Sequence, residues 1–197
     1  MSSFKAKLYV ALIHYPVVNK NNEVISSAVT NLDLHDIARA CRTYGVDRFY
    51  VVTPLVDQQT LIKRLVSHWI SGAGATNNPS RREALKVVRL KDSLDQVCQA
   101  IYQRDAKPPK TVVTSAASHP NSTSFRQLGK MLSGTVPLVL VFGTAWGLAE
   151  QCFKQADYIL KPIHGNTSQE DAGYNHLAVR SAVSIILDRV RSLMADD

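Results

Sequence analysis

A turn bracketed by two glycines, Gly143 and Gly147, directly follows the apolar run Leu138–Phe142. Glycine lets a backbone turn tightly and lie close to a ligand, and the amides at the start of a helix predicted from Leu148 can face that ligand. After a second apolar run, Pro162 fixes an extended loop. These two segments predict a ligand-binding site made largely of backbone groups.

Familiar catalytic and nucleotide-binding motifs are missing from the sequence. It contains no Walker-type phosphate loop, no GxGxxG after the first predicted strand, no GxSxG elbow and no HExxH. The six histidines do not cluster at ligand spacing, and we expect no metal site. The sequence therefore argues against a P-loop ATPase and a dinucleotide-binding Rossmann enzyme.

Positive charge is concentrated between Lys63 and Lys91. The whole chain has 23 Lys and Arg against 16 Asp and Glu, a net charge of +7. This stretch contains seven basic residues and one acidic residue, Glu83. Such a sector attracts polyanions, of which nucleic acid is the usual one for a cytosolic protein. The alternative is a solvated surface that keeps the protein in solution.

Apolar runs alternate with helical patterns along the chain, and this alternation must position the candidate segments. Because most runs are continuous, we expect an α/β fold whose parallel sheet has helices on both faces, with residues 1–197 as one domain. The predicted strands are Lys7–Ile13, Arg48–Thr53, Val87–Leu90, Lys110–Thr114, Leu138–Phe142 and Tyr158–Leu160. The predicted helices are Asp33–Tyr44, Gln58–Ile70, Ser93–Gln103, Ser122–Leu132, Leu148–Gln155 and His176–Met194.

Local signals refine two of these boundaries. Asp33 is the expected N-cap of the first helix, and Gly45 follows that helix where a left-handed residue belongs. The Gly-, Asn- and Pro-containing stretch Ser71–Ser80 is expected to be a loop. Ligands of parallel sheets bind beyond the carboxyl ends of the strands. The segments at those ends are His14–Pro16, Thr53–Pro54, Thr114–Ser115, Gly143–Gly147 and Lys161–Asn175.

The compartment can also be inferred from the sequence. The N-terminus runs into the first strand without a signal-peptide pattern, and no apolar stretch approaches 18 residues. The three cysteines, Cys41, Cys98 and Cys152, are widely spaced and form no CxxC pair, as reduced core thiols do. We therefore expect a cytoplasmic protein that does not enter a membrane.

Three segments in order resemble motifs of the SPOUT superfamily of RNA methyltransferases. The first has Arg39 six residues before Gly45 and ahead of a strand, and the second is Val141–Leu148 (VFGTAWGL). The third is Pro162–Gly165 (PIHG) followed by His176–Ala182. The resemblance spans about residues 7–192 and is closest to a bacterial subfamily of small, stand-alone members.

This resemblance implies a C-terminal deep trefoil knot that binds S-adenosylmethionine, a homodimer, and tRNA or rRNA as substrate. The basic sector would then contact RNA through Lys63, Arg64, Arg81 and Arg82. The cofactor-binding residues implied by the motifs are Thr114, Ser115, Gly143, Thr144, Gly147, Leu160, Pro162, Ile163, Asn175, His176 and Leu177.

The sequence departs from the ribose 2′-O-methyltransferases of the superfamily. His176 and Ala178 stand where the third motif carries Ser and Asn, and Asp33 replaces the Asn of the first motif. The stretch with Asp171 instead looks like the tRNA guanine-N1 methyltransferase, in which an Asp acts as base. Base methylation and ribose methylation therefore both stay open.

The two acceptors imply different catalytic residues. For a guanine N1 acceptor, Asp171 or Glu170 would take the proton while Arg39 or Arg180 steadies the charge on the base or phosphate. For a ribose hydroxyl, Arg39 would be the critical residue. Two other functions compete with methyl transfer: a non-catalytic RNA-binding protein that keeps the fold, and an α/β enzyme acting on an acidic metabolite.

Overall fold

The computed structural model describes residues 5–165 and 175–193. In chain order its elements are β1 (Leu8–Ile13), β2 (Val17–Val18), β3 (Val24–Ile25), α1 (Asn31–Thr43), β4 (Arg48–Val52), α2 (Val56–Ile70), α3 (Ala73–Asn77), α4 (Pro79–Leu85), β5 (Val88–Lys91), α5 (Leu94–Asp105), β6 (Lys110–Val113), α6 (Phe125–Leu132), β7 (Leu138–Gly143), α7 (Glu150–Lys154), β8 (Tyr158–Ile159) and α8 (Val179–Ser192).

Six of the strands form one sheet in the order β5-β4-β1-β7-β6-β8, and every pairing in it is parallel. Successive side chains of a strand point to opposite faces. In β1, Leu8, Val10 and Leu12 pack in the cluster that includes α1 and α8, whereas Tyr9, Ala11 and Ile13 pack with α5 and α7. The predicted parallel sheet with helices on both faces is confirmed.

The first helix begins earlier than the sequence predicted, and its N-cap is Thr30 rather than Asp33. Thr30 Oγ1 accepts the Asp33 backbone N–H at 3.1 Å and donates to the Asp33 carboxylate at 2.6 Å. Asp33 therefore supports the cap from inside the first turn. The predicted helix end is confirmed, because Gly45 has a φ of +73° and the Val46 N–H donates to the Cys41 carbonyl.

The predicted loop Ser71–Ser80 is wrong, because α3 and the start of α4 occupy it. Asn78 caps α4 by accepting the Arg81 N–H at 2.9 Å, and Pro79 takes the first helical position. Asn and Pro at those two positions are helix-start signals as well as turn signals. A Cβ on Gly74 would lie 2.5 Å from the Trp69 ring, so glycine lets α3 pack against α2.

Two other predicted helices are shorter in the structure. The helix predicted from His176 begins at Val179, and the one predicted over Leu148–Gln155 is limited to Glu150–Lys154. The antiparallel pair of β2 and β3 was not predicted, since two-residue strands leave no periodic pattern to detect. The remaining predicted strands and helices lie within three residues of the observed bounds.

Candidate functional site

The ends of three neighbouring strands bring the predicted cofactor-binding segments to one edge of the sheet. The Thr114 backbone N–H, just after β6, donates to the Val141 carbonyl of β7 at 3.0 Å. Just after β8, the Leu160 N–H donates to the Val113 carbonyl at 2.9 Å. Thr114, the Gly143–Gly147 turn and the loop after β8 therefore lie at one edge of the sheet, the carboxyl edge at which parallel sheets bind their ligands. The Ser115 hydroxyl is held within its own loop, 3.1 Å from His119 Nε2.

The Gly143–Gly147 turn is fixed by its own backbone and by β2. A Cβ on Gly143 would lie 2.6 Å from the Leu148 nitrogen and 2.9 Å from the Gly147 carbonyl carbon. Gly147 has a φ of +122°, a region that favours glycine. Gly143 is therefore required because the turn folds back onto it, and its contact with the cofactor stays a prediction.

The helix after this turn starts later in the chain than the sequence predicted. It begins at Glu150 instead of Leu148, and the Ala149 N–H donates to the Pro16 carbonyl at 3.3 Å. The Trp146 N–H donates to Val18, whose own N–H donates to the Gly147 carbonyl. The predicted helix start at Leu148 is thus wrong, and the Trp146 and Ala149 amides before α7 bond within the protein.

Asn175 clamps the loop that follows β8. Its Nδ2 donates to the Ile163 carbonyl at 2.8 Å, and its Oδ1 accepts the Gly165 N–H at 3.2 Å. Pro162 is buried, which anchors the loop on the sheet side. Asn175 thus holds the shape of this loop, and its predicted contact with the cofactor stays a prediction. His176 and Leu177 follow on the surface, before α8 begins.

Arg180 joins α8 to α1 through two ion pairs. Its Nη1 lies 3.4 Å from Asp33 Oδ1, and its Nε lies 3.5 Å from Asp36 Oδ2. Arg39 lies one turn beyond Asp36 on α1, is exposed, and has no carboxylate within ion-pair distance among the described residues. Of the predicted catalytic residues, the structure thus leaves the Arg39 charge available and engages that of Arg180. Asp171 lies outside the described residues.

His14 is a buried polar residue at the carboxyl edge of the sheet that the sequence analysis did not single out. It directly follows β1, is fully buried, and places Nδ1 3.0 Å from Ser27 Oγ. Burial lowers the pKa of His14 to about 4, against the opposing field of the Asp33 carboxylate and nearby backbone carbonyls. The available signal was a histidine immediately after an apolar strand, in a segment already placed at the carboxyl edge.

Acid should therefore destabilise the protein through His14. The folded state holds the ring neutral, whereas the unfolded chain binds a proton near pH 6.5, so this stability is present above pH 6.5 and is lost as the pH falls toward 4. Urea unfolding at several pH values should show wild type losing up to about 3 kcal/mol more than His14→Asn across that window. Parallel pH dependences of the two proteins would contradict a buried neutral ring.

The four predicted RNA-binding residues lie on α2 and α4. Lys63, Arg64 and Arg82 are exposed, while the Arg81 guanidinium lies 4.4 Å from the centre of the Trp69 ring. Lys63 also lines a groove of about 370 Å³ between α2 and the edge strand β5. Since β4 and β5 lie across β1 from β6 and β8, this basic surface (Lys63, Arg64, Arg81 and Arg82) occupies the other half of the sheet from the candidate cofactor loops.

The single acid of the basic stretch is already paired. Glu83 Oε1 lies 3.3 Å from Arg42 and Oε2 lies 2.8 Å from Lys86. These contacts hold the pKa of the Glu83 carboxyl below its usual range, chiefly through the hydrogen bond from Lys86. Glu83 therefore offsets charge on those two partners rather than on Arg64 or Arg82.

Three further observations concern the described residues. No helix among them is long and apolar enough to cross a membrane. Within the same ranges, no three His, Cys, Asp or Glu side chains are grouped so that they could hold a metal ion. Cys41, Cys98 and Cys152 are free, and burial raises the pKa of Cys41 and Cys98, which keeps both as thiols at neutral pH.

Known proteins resemble this chain in sequence along most of its length. A tRNA (guanine-N(1)-)-methyltransferase from Oleidesulfovibrio alaskensis is 43% identical over 183 residues, covering 93% of this chain and 41% of that protein. The chain thus spans about two fifths of the length of that relative. An uncharacterized protein from Aquifex aeolicus is 38% identical over 187 residues, covering 94% of this chain and 88% of that protein.

Solved structures share the fold at low sequence identity. A probable methylase family protein from Haemophilus influenzae has a TM-score of 0.64 and 17% identity, covering 98% of this chain and 68% of that one. The SpoU methyltransferase AviRb from Streptomyces viridochromogenes, in complex with AdoMet, has a TM-score of 0.57 and 16% identity, covering 94% of this chain and 57% of that one. The fold is therefore that of the SpoU methyltransferases, while the trefoil knot of this chain stays a prediction.

The family assignment rests on the sequence match over nearly the whole chain. A family model described as SAM-dependent RNA methyltransferase matches residues 7–192. That range contains Arg39 of α1, the Gly143–Gly147 turn and the Asn175-clamped loop. The chain belongs to the family of SAM-dependent RNA methyltransferases.

Proposed function

We propose that this protein transfers a methyl group from S-adenosylmethionine to a base or a ribose 2′-hydroxyl of tRNA or rRNA. The observation that carries the proposal is the convergence of three segments at neighbouring strand ends: Thr114, the Gly143–Gly147 turn and the loop clamped by Asn175. A cytoplasmic location belongs to the same proposal, because the free thiols of Cys41, Cys98 and Cys152 suit a reducing compartment.

The residues at this carboxyl edge fit S-adenosylmethionine, which supplies a methyl group on a sulfonium when bound. Asn175 ties up the Ile163 carbonyl and the Gly165 N–H, so the loop is held in one shape. Backbone groups of such a fixed loop can recognise a nucleoside base, with apolar contact from Leu160 and Ile163. The cofactor-contacting residues that we propose are Thr114, Thr144, Gly147, Leu160, Pro162, Ile163, His176 and Leu177.

Residues of α1 and of the adjacent surface hold the acceptor atom of the RNA in line with the methyl group. Alignment of the two reactants supplies most of the rate in a direct displacement, and the acceptor must also lose a proton. We propose that Arg39 stabilises the charge on the acceptor, since Arg180 already forms ion pairs with Asp33 and Asp36. For a base acceptor, Asp171 is the proposed proton acceptor.

A homodimer is part of the proposal. Large apolar side chains at the carboxyl edge of the sheet are exposed, with Trp146 at 68%, Leu177 at 46% and Tyr15 at 40%. A second copy of the chain covering this edge would remove these side chains from water and would add residues to the proposed cofactor site. Sedimentation that gives a monomer at micromolar concentration would argue against this arrangement.

Calorimetry with S-adenosylmethionine and with RNA tests the function directly. Binding of both ligands supports methyl transfer, and mass spectrometry of nucleosides from a strain lacking the gene then identifies the methylated atom. RNA binding without cofactor binding would favour a non-catalytic RNA-binding protein. Cofactor binding without RNA affinity would favour an enzyme acting on an acidic metabolite.

The basic surface should bind RNA phosphates, which makes affinity strongly dependent on salt. The log–log slope should be about −0.7 for each phosphate neutralised on a single strand. Arg64→Ala combined with Arg82→Ala removes two exposed charges and should flatten the slope by about 1.4 for every RNA sequence alike. Filter binding across a salt series measures this slope.

A matched double variant distinguishes RNA binding by this basic surface from a general effect of the protein's net charge. Lys130→Ala with Lys154→Ala removes two exposed charges from α6 and α7, away from the basic surface. We expect this control to keep the wild-type slope. If the Arg64 and Arg82 variant also keeps that slope, the basic surface is only a solvated face.

A further inference from the structure

Three polar side chains form a chain of hydrogen bonds between β1 and the Gly143–Gly147 turn. His14 Nδ1 lies 3.0 Å from Ser27 Oγ, and Ser27 Oγ is in hydrogen-bond contact with Thr144 Oγ1. Thr144 Oγ1 lies 2.9 Å from the Ile13 carbonyl oxygen. His14 is fully buried, Thr144 is 9% exposed and Ser27 is half-buried, so water competes little for these contacts.

The direction of donation in this chain follows from its last acceptor. A carbonyl oxygen only accepts, so the Thr144 hydroxyl donates to Ile13 and must accept from the Ser27 hydroxyl. The single proton of Ser27 is then used, and its oxygen accepts from His14 Nδ1–H. The other contact of the Ser27 hydroxyl, to the His14 carbonyl, is 3.5 Å long and therefore much weaker than its contacts with His14 Nδ1 and Thr144.

We propose that His14 is a positioning residue that holds Thr144, through Ser27, in the place that cofactor binding requires. The inference rests on the proposed function only in taking the Gly143–Gly147 turn as part of the cofactor site. His14 itself touches no ligand, because its side chain is fully buried. It acts on the proposed cofactor site through the hydroxyl groups of Ser27 and Thr144, whose orientations the hydrogen bonds fix.

The second ring nitrogen supports a role beyond packing. Nε2 of His14 is buried and has no hydrogen-bond partner among the described residues. A buried acceptor without a partner costs folding free energy, and a leucine would fill the same space without that cost. We therefore attribute the histidine at this position to the Nδ1–H group, which a leucine lacks.

Two amide variants distinguish the ring nitrogens. His14→Asn places an amide donor close to the position of Nδ1, whereas His14→Gln reaches toward that of Nε2. Titration calorimetry should give the Asn variant an affinity for S-adenosylmethionine within about twofold of wild type. The Gln variant and Ser27→Ala should each bind about tenfold more weakly, the usual effect of losing one well-placed hydrogen bond. Rescue by Gln and not by Asn would overturn the proposal.

Thr111→Val is the matched control for stability. Thr111 is buried near the start of β6, away from the carboxyl edge, and its hydroxyl donates to Asp157 Oδ2 at 3.1 Å and accepts the Asp157 N–H at 3.0 Å. Its loss should lower the urea midpoint without changing cofactor affinity. If Ser27→Ala changes the midpoint but not the affinity, as Thr111→Val should, the three side chains serve folding alone and the proposal fails.

Nitrogen-15 NMR of the His14 ring tests the inference without the cofactor. At pH 7 we expect a protonated Nδ1 and an unprotonated Nε2. The opposite tautomer would overturn the donation order, whatever the outcome of calorimetry. Failure of the wild-type protein to bind S-adenosylmethionine would instead refute the proposed function, and the NMR result would then decide the positioning of Thr144 by itself.

Discussion

Gly143→Val should weaken cofactor binding more than any other single change in the turn. The valine Cβ would lie 2.6 Å from the Leu148 nitrogen, and the contacting atom is backbone that cannot rotate away. The turn cannot retreat easily, because Trp146 and Gly147 are hydrogen-bonded to β2. We expect S-adenosylmethionine affinity to fall at least about tenfold and the free energy of unfolding to fall by about 3 kcal/mol. Calorimetry and urea unfolding measure the two effects.

Gly147→Ala provides the graded control. No atom lies within 4 Å of a Cβ built on Gly147, so only its φ of +122° opposes the substitution. We expect this conformational strain to lower the free energy of unfolding by about 1–2 kcal/mol and to leave the turn in place. A Gly143→Val protein with wild-type affinity and stability would refute both the turn geometry and its place in the cofactor site.

Arg39→Ala should lower kcat about hundredfold while leaving the dissociation constant for S-adenosylmethionine unchanged. Removing one preorganised group that faces developing charge typically costs a factor of this size. Arg39 is exposed on α1, one turn from the Arg180–Asp36 pair, and it faces no carboxylate at ion-pair distance in the described part of the chain. Single-turnover methyl transfer to RNA from a strain lacking the gene separates this loss from weaker RNA binding.

Arg42→Ala is the matched control on the same helix. Arg42 lies one turn further along α1 and is paired with Glu83 at 3.3 Å. Its loss removes the same charge from an exposed position, where ion pairs contribute little to stability. We expect its kcat to stay within about twofold of wild type. Equal losses in both variants would mean that Arg39 acts through general charge and has no specific catalytic role.

Whether a feature could be predicted from the sequence depends on whether the residues that determine it are close together in the chain. The alternation of apolar runs and helical patterns predicted the parallel sheet, and Gly45 marked the end of α1, because both depend on neighbours a few residues away. The Ser71–Ser80 prediction was wrong because the same Asn and Pro residues start turns and helices. There the packing of Trp69 against Gly74 decides for helix.

The sequence by itself determined the fold class, the carboxyl-edge segments and the family of this protein. Only the tertiary structure decided which side chains act together there. Thr144 meets Ser27 across 117 residues, and Arg180 meets Asp33 across 147. Such contacts leave no periodic pattern, since they depend on strand order in the sheet and not on sequence spacing. The same reason explains why the sequence did not reveal the ion pairs of Arg180 with α1, and why His14 was not singled out.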